Sequence, residues 1–381
     1  MMHQNIYDQL KMYRRDLHQI PEIGFDLPKT YQYIKSALEA MGYEPQTIAE
    51  TGLYVYIEGA RKDAIAFRAD MDALSVTEKT NSTYASRHAG FMHACGHDGH
   101  MAILLGLAEQ LSTVETFHQS VLLIFQPAEE GPGGAEVIVK TGLLEKYHVK
   151  KIFGIHLNPD LEEGKVGLVN GPMMAQNGEF DVVVKGISSH GAQPQNGRDA
   201  MRAAMTLVQN YQDIMTNMID PFIPSIIAIG TFHAGEARNI VAQEASFTGT
   251  IRTFDGAAYD KITAAMQRFA DAVSHAYELE VELVIRDFYP PVINDEALYN
   301  DVLDVVPSAN REVIKPMMFA EDFSFYQEVV PGLFMMLGTK NESRGLTHPL
   351  HSCYFDFDEL VLSVGVETYM DLLRFYKTID V

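Results

Sequence analysis

The sequence predicts an α/β protein whose central, mostly parallel mixed sheet is interrupted by a smaller inserted α+β unit. Three observations carry this. Val121-Leu122-Leu123-Ile124-Phe125 is apolar without alternation, as a strand covered on both faces requires. Lys151 to His156 repeats that pattern and ends on a polar residue, as Val121–Phe125 does at Gln126. Between residues 178 and 289 the order becomes strand, helix, strand, strand, helix, strand, which is that of a ferredoxin-like unit.

The elements follow in order. Leu10, Tyr13, Leu17 and later Tyr33, Ile34 and Leu38 recur at helical spacing, and Pro21 and Pro28 divide them into two helices. Gly52–Ile57 and Ala64–Ala69 read as strands, the second running into Asp70-Met71-Asp72. A helix is expected from just after His97 to about Leu111, with Ile103, Leu104, Leu107 and Leu111 as its buried stripe. In the insert, the expected strands are Phe180–Lys185, Ser225–Gly230, Ala245–Ile251 and Glu280–Ile285. Its helices run from Asp199 to about Met215 and from Tyr259 to about Tyr277. Met335–Gly338 is a further strand of the main sheet, and Leu360 to Tyr376 is an amphipathic helix. The main domain is therefore expected at residues 1–177 and 290–381, around an insert at 178–289, with Pro290-Pro291 as the hinge.

Composition narrows the possible functions. The 381 residues are 47% apolar and suit a folded protein of two domains. A formal net charge of −22 opposes non-specific binding to nucleic acid or anionic membrane. No apolar run approaches the length of a membrane span, and the first residues lack the basic start and apolar run of a signal peptide. A cytoplasmic location is the expectation. Cys95 and Cys353 are the only cysteines, so no disulfide framework is implied.

The chemistry-bearing residues concentrate in a few short segments. Met92 to Met101 holds Cys95, His93, His97, His100 and Asp98. Gln126-Pro127-Ala128-Glu129-Glu130 follows the apolar strand, His156 ends the next, and His348 and His351 come near the end of the chain. Thiolate, imidazole and carboxylate together suit Zn²⁺, Mn²⁺, Co²⁺ or Ni²⁺ rather than an ion that takes only oxygen ligands. Cys95, His97, Glu130, His156 and His351 exceed what one tetrahedral ion needs, so two divalent ions sharing Cys95 would use them. Adjacent glutamates in extended chain face opposite ways, so one can bind metal while the other serves as general base. We assign Glu129 as base and Glu130 as ligand, an order the spacing alone leaves open. Asp98 has two readings, holding the ring of a ligand histidine or starting the helix. Gly131, Gly133 and Gly134 lack the Gly-Lys-Ser/Thr of a phosphate loop and read as a tight turn. A metal-free Cys95 is expected to be an exposed, reactive thiol.

With these residues in view, the chain resembles the peptidase family M20 metallohydrolases. Within that family it is more similar to the amidohydrolase branch of hippurate hydrolases, indole-acetyl-amino-acid hydrolases and N-acetyldiaminopimelate deacetylases. The resemblance runs through Arg14 to His18 with Pro21-Glu22, Phe67 to Leu74, His93 to His100, Gln126 to Glu130 and Gly154 to His156. It continues through Ser189 to Gly191, Ala237 to Asn239, Glu321 to Phe323 and His351. It implies a zinc-peptidase-like catalytic domain with a ferredoxin-like lid. It also implies two metal ions on Cys95, His97, Glu130, His156 and His351, with zinc, manganese, nickel or cobalt as the metal, and Glu129 as base. From the lid, His190 would stabilise an oxyanion, in some members from a neighbouring subunit.

Arg238 can pair with a substrate carboxylate and Asn239 can donate to the same end, the alternative being an ion pair within the lid. Met173, Met174, Asn177 and Met318 are candidate pocket walls. The implied reaction is hydrolysis of an N-acyl, chiefly N-acetyl, amino acid such as N-acetyldiaminopimelate. Hippurate hydrolysis and a metallo-dipeptidase or aminoacylase activity are the neighbouring readings, and a homodimer or higher homo-oligomer is favoured. A metal-dependent ligand-binding protein without turnover is the reading outside enzymology, and a complete ligand set with Glu129 present opposes it.

Overall fold

A computed structural model of the chain describes residues 2–380. They fall into two compact units. The first comprises Met1–Gly171, Ile293–Lys315 and Asp322–Val381, and the second Pro172–Val292 and Pro316–Glu321.

The first unit is built on an eight-stranded mixed sheet. Its order is Gln46–Ile48, Gly52–Ile57, Gln119–Gln126, Arg61–Asp70, Val149–Glu162, Gly332–Lys340, Val166–Leu168 and Arg311–Val313. The four central strands, Gln119–Gln126 through Gly332–Lys340, run parallel. Their side chains are buried on both faces, which is why Val121–Phe125 carries no alternation. The helices Met2–His18, His97–Leu111 and Val361–Phe375 pack with the sheet into one core. The His97–Leu111 helix is buried almost all round, because Leu10 and Val366 come so close to Gly106 that a Cβ there would lie 2.5 Å from Leu10. Among the described residues no helix is long and apolar enough to cross a membrane.

The second unit is a four-stranded antiparallel sheet ordered Glu280–Asp287, Gln176–Lys185, Glu244–Thr253, Ser225–Ala234. In chain order that is fourth, first, third, second, the ferredoxin-like arrangement. The helices Ala200–Asn217 and Gly256–Tyr277 bury Leu207, Tyr211, Ile262 and Met266 against Phe180, Val182 and Phe247. Asp199 and Asp255 cap these helices by accepting from the backbone N–H of Arg202 and Ala258.

The insert is larger than the expected 178–289. It starts at Pro172, ends at Val292 and takes in Pro316–Glu321. Backbone pairing draws the last segment in, since Met317 donates to Met173 and Ala175 donates to Phe319. Five strands of three or four residues escape the sequence reading because alternation cannot declare itself over that length. The expected strand exit at His156 is also corrected. The strand runs on to Glu162, and its register against Gly332–Lys340 shifts only after Gly338, where a Cβ would lie 1.9 Å from Glu162 O.

Phe247 anchors the second core, within ring contact of Phe180, Tyr211 and Phe232. Phe247→Ala is expected to cost about 3–5 kcal/mol. Urea unfolding followed by circular dichroism reads this, and a loss below about 1 kcal/mol would contradict that packing.

Candidate metal centre

The site grows from strand ends. Asp70 closes one parallel strand and Asp72 follows two residues later. Gln126 closes the next, and Glu129 and Glu130 lie just beyond it. Cys95 and His97 flank Gly96, whose φ of +87° turns the chain into the helix beginning at His97. The Gln126–Gly134 turn closes when Gly133 and Gly134 both donate to Ala128 O. A Cβ on Gly134 would lie 1.8 Å from Pro127 O, so this turn demands the glycine read there.

Cys95, His97 and His156 present donor atoms within 4.8 Å of one another, and so do Cys95, Glu130 and His351. Cys95 belongs to both groups. His97, Glu129 and Glu130 form a third, with His97 Nε2 3.8 Å from Glu129 Oε2 and 4.0 Å from Glu130 Oε1. His351 is half-exposed, and its Nε2 lies 3.2 Å from Glu130 Oε1.

The ring orientations are fixed by carbonyls. His97 donates Nδ1–H to Asp72 O at 2.8 Å, and His156 donates Nδ1–H to Leu157 O at 2.7 Å. A carbonyl only accepts, so in each neutral ring the lone pair sits on Nε2, the nitrogen inside the donor group. His100 cannot join them. Its Nδ1 bonds Asp70 at 2.6 Å and its Nε2 accepts from Leu157 N–H. His93 is buried with both ring nitrogens lacking a hydrogen bond, and burial pushes it down to about 3. His348 packs on the Tyr354 ring, apart from the donor groups.

The donors fit a dication. Burial alone would lower His97, but Asp70, Asp72 and Glu130 outweigh it and raise the ring to about 10. Burial, then Glu130, Glu129 and Asp70, hold the Cys95 thiol well above its ordinary value. His156 is driven well below its ordinary value by burial and by His100, so it stands neutral. His97 Nε2 and Glu130 Oε1 are buried without a hydrogen bond. A cation among these atoms would supply the missing partner and displace the protons. The residues present thus form clusters consistent with a dinuclear divalent metal site.

Asp98 is corrected. It holds no ligand histidine, because its Oδ2 accepts from Arg14 Nε at 2.9 Å and bonds His18 Nδ1 at 2.7 Å. Asp72 and Leu157, through their carbonyls, do what was expected of it. Asp98 instead ties the start of the His97 helix to the first helix, with the Arg14 guanidinium between the Tyr84 and Phe357 rings.

In the second unit His190 is exposed. It forms a β-bridge with Ile240, and Gly191 donates to Asn239 O at 2.7 Å, so His190 and Asn239 share one loop cluster. Arg238 is exposed, and among the described residues no ion pair holds it. Met173 and Met174 are core residues, and Asn177 Oδ1 accepts from Tyr289 N–H. Two groups escaped the sequence reading. One is Asp72, and the other is the buried lattice in which Arg68 bonds Asp70, Gln126 and Asp322. Their signal was charge at the ends of apolar strands.

Because Cys95 is buried and its thiol pKa is raised, the expectation of an exposed, reactive thiol is reversed. The reactive thiolate would grow in only at pH above the ordinary thiol range. In metal-free protein near neutral pH, alkylation read by mass spectrometry is expected to label the half-buried Cys353 well before Cys95. Equal rates would contradict this environment.

The model of peptidase family M20/M25/M40 matches residues 66–374. An uncharacterized hydrolase of Staphylococcus haemolyticus is 36% identical over 371 residues, covering 96% of this chain and 97% of its own. Among solved structures, a chain from methicillin-resistant Staphylococcus aureus, provisionally named an aminohydrolase, aligns with a TM-score of 0.91 at 30% identity, covering 98% of this chain and 97% of its own. The Bacillus subtilis YXEP protein, described as a dinuclear metal binding peptidase from the M20 family, aligns with a TM-score of 0.84 at 31% identity over 97% of both chains. The chain belongs to peptidase family M20/M25/M40, and it is a metal-dependent hydrolase of that family.

Proposed function

We propose that this enzyme hydrolyses the amide bond of N-acyl amino acids, releasing an amino acid and a carboxylic acid. The observation that carries the reading is the joining of two donor triads through Cys95, with Glu129 beside His97. Cys95, His97 and His156 would hold one divalent ion, and Cys95, Glu130 and His351 the other. Two such ions supply Lewis acidity, acidifying water and polarising a carbonyl. Glu129 takes the proton from the attacking water and delivers it to the amide nitrogen as the C–N bond breaks, so the amine leaves neutral. His190 donates to the carbonyl oxygen as charge develops there. Arg238 pairs with the substrate carboxylate, which its freedom from ion pairs favours, and Asn239 donates to the same end.

N-acetylated amino acids are the first substrate class, with N-acetyldiaminopimelate as one member. A dipeptide presents the same bond with an aminoacyl group, and the Bacillus subtilis relative is described as a peptidase. The test is amine release from N-acetyl amino acids, N-acetyldiaminopimelate, hippurate and dipeptides, with enzyme loaded in turn with Zn²⁺, Mn²⁺, Co²⁺ and Ni²⁺. Turnover of the acyl amino acids is expected, with Glu129→Gln lowering kcat by about 10²–10⁴-fold at unchanged metal content. Cleavage of dipeptides alone would replace the reading with a dipeptidase. Full metal loading without any turnover would leave a binding protein.

We further infer a homodimer formed along Ser225–Ala234. This ten-residue strand lies at a sheet edge, contains no charged residue, and exposes Ile226 and Phe232. Such an edge pairs readily with another strand. Light scattering is expected to give twice the chain mass, and Ile226→Lys to shift the protein toward monomer. A wild-type monomer at high concentration refutes the assignment.

A further inference from the structure

We propose that His18 is a cationic latch, a buried imidazolium that ties the loop between Leu74 and Met92 to the start of the His97–Leu111 helix. The loop is closed at its base, where Leu74 N–H donates to Met92 O at 3.1 Å and Met92 N–H donates to Leu74 O at 3.0 Å. From Ser75 to Phe91 it has neither helix nor strand, so side chains must order it. Two of them do. Glu78 accepts from the Thr80 hydroxyl and, at 2.6 Å, from Ser86 N–H. Tyr84 donates its hydroxyl to Asp356 Oδ2 at 2.9 Å.

His18 ends the first helix, is 1% exposed, and has a carboxylate at each ring nitrogen. Nδ1 lies 2.7 Å from Asp98 Oδ2, and Nε2 lies 3.4 Å from Glu78 Oε1. A neutral ring carries one N–H and would aim its lone pair at the second carboxylate, whereas the cation donates at both. Neither carboxylate holds the proton itself. Burial pushes Glu78 up, but His18, Thr80 and the Ser86 amide hold it at about 2. Burial opposes Asp98 too, and Arg14 and His18 hold it well below its ordinary value. Burial and the Arg14 guanidinium push His18 down, and Asp98 and Glu78 outweigh them and raise it. The other groups at the ring are Tyr84, edge-on at 5.8 Å, and the neutral His93 at 6.4 Å. Arg14 divides its charge among Asp98, Asp356 and Glu359. Because folding raises the ring's hold on its proton, its contribution is complete below the ordinary histidine value and lost as pH rises through the raised one. The Glu78 contribution is complete above the ordinary carboxylate range and lost as pH falls toward about 2. The loop is therefore held at neutral pH and released on the alkaline side.

Lys79 and Arg87 are exposed on this loop, and their N–H groups donate to Cys353 O at 2.8 Å and Gln19 O at 3.0 Å. Trypsin thus cuts at these residues only when the loop opens. Metal-loaded wild type, His18→Gln and Glu78→Gln are digested briefly from neutral pH to about pH 9.5, with each site read by mass spectrometry and corrected for trypsin's own pH dependence. Wild-type cleavage at Lys79 and Arg87 is expected to rise about tenfold over that range. Both variants are expected to be cut about tenfold faster at neutral pH, with little further rise. Glu78→Gln carries the test if His18→Gln does not fold. In parallel, nitrogen NMR of isotope-labelled histidine in metal-loaded wild type is expected to show one ring protonated at both nitrogens well above the ordinary histidine value, titrating earlier in Glu78→Gln. Cleavage independent of pH in wild type, variants cut like wild type, or the absence of such a ring each overturns the proposal. So does cleavage spread evenly over the chain, since that is general unfolding. Both readouts are independent of turnover.

Discussion

A buried carboxylate must have a partner, and the first unit gathers several around one point. Desolvating an unpaired charge costs several kcal/mol even after the surroundings relax. Asp70 is answered by Arg68 and His100, and the net effect holds its carboxyl well below its ordinary value although burial pushes the other way. Asp322 is answered by Arg68, Gln126 and the Ala135 N–H, and Asp98 by Arg14 and His18. Asp72 is answered by two amides. The protein therefore satisfies its outer ring of carboxylates from within. His97 Nε2 and Glu130 Oε1, buried and without a hydrogen bond, lie inside that ring. A divalent metal is the partner that a thiol, imidazoles and carboxylates accept together, and the donor groups are consistent with two such ions.

The same satisfied ring does the positioning. Arg68 and Gln126 lie on adjacent parallel strands and meet on Asp322, so the ends of those strands are cross-linked where open α/β sheets carry their chemistry. Arg14 reaches from the first helix to Asp98 at the start of the His97 helix and to Asp356, five residues beyond His351. One guanidinium thus links the segments that bear ligands of the two triads. Replacing buried ion pairs by apolar residues often costs a fold little, but here it would release the groups they aim.

The strands were legible because burial on both faces leaves an unbroken apolar run, and the insert because its six elements are long enough to show their period. Cys95, His97, Glu130, His156 and His351 were legible as donor types, although His156 lies within its strand rather than at its exit, and they do converge in space. Of the two readings of Asp98, the hold on a ligand histidine failed for a physical reason. At the second position of a helix its side chain leaves on a different face from that of His97, and sequence adjacency says nothing of which face the first helix covers. Asp72 went unassigned because its hydrogen bonds are to backbone amides 57 and 58 residues away, and bonds of that kind leave no mark in local pattern. The segment 316–321 was missed likewise, since pairing with Met173 and Ala175 is long-range.

Backbone strain shows how the two triads differ. Ala128 sits at φ +60° and His351 at φ +64°, both in the left-handed region that costs an L-residue about 1–2 kcal/mol. Ala128 precedes the predicted base Glu129, and His351 itself carries a predicted ligand ring. Just beyond Ala128 the turn is held by two hydrogen bonds, from the Glu129 and Glu130 N–H groups to the two oxygens of Asp72. At His351 the backbone has one neutral bond, from its N–H to Ala94 O, worth about 0.5–1.5 kcal/mol. There strain and support nearly cancel, and the ring is half-exposed. The Glu130 limb is thus held by two buried hydrogen bonds to Asp72, and the half-exposed His351 by one backbone bond, from its N–H to Ala94 O.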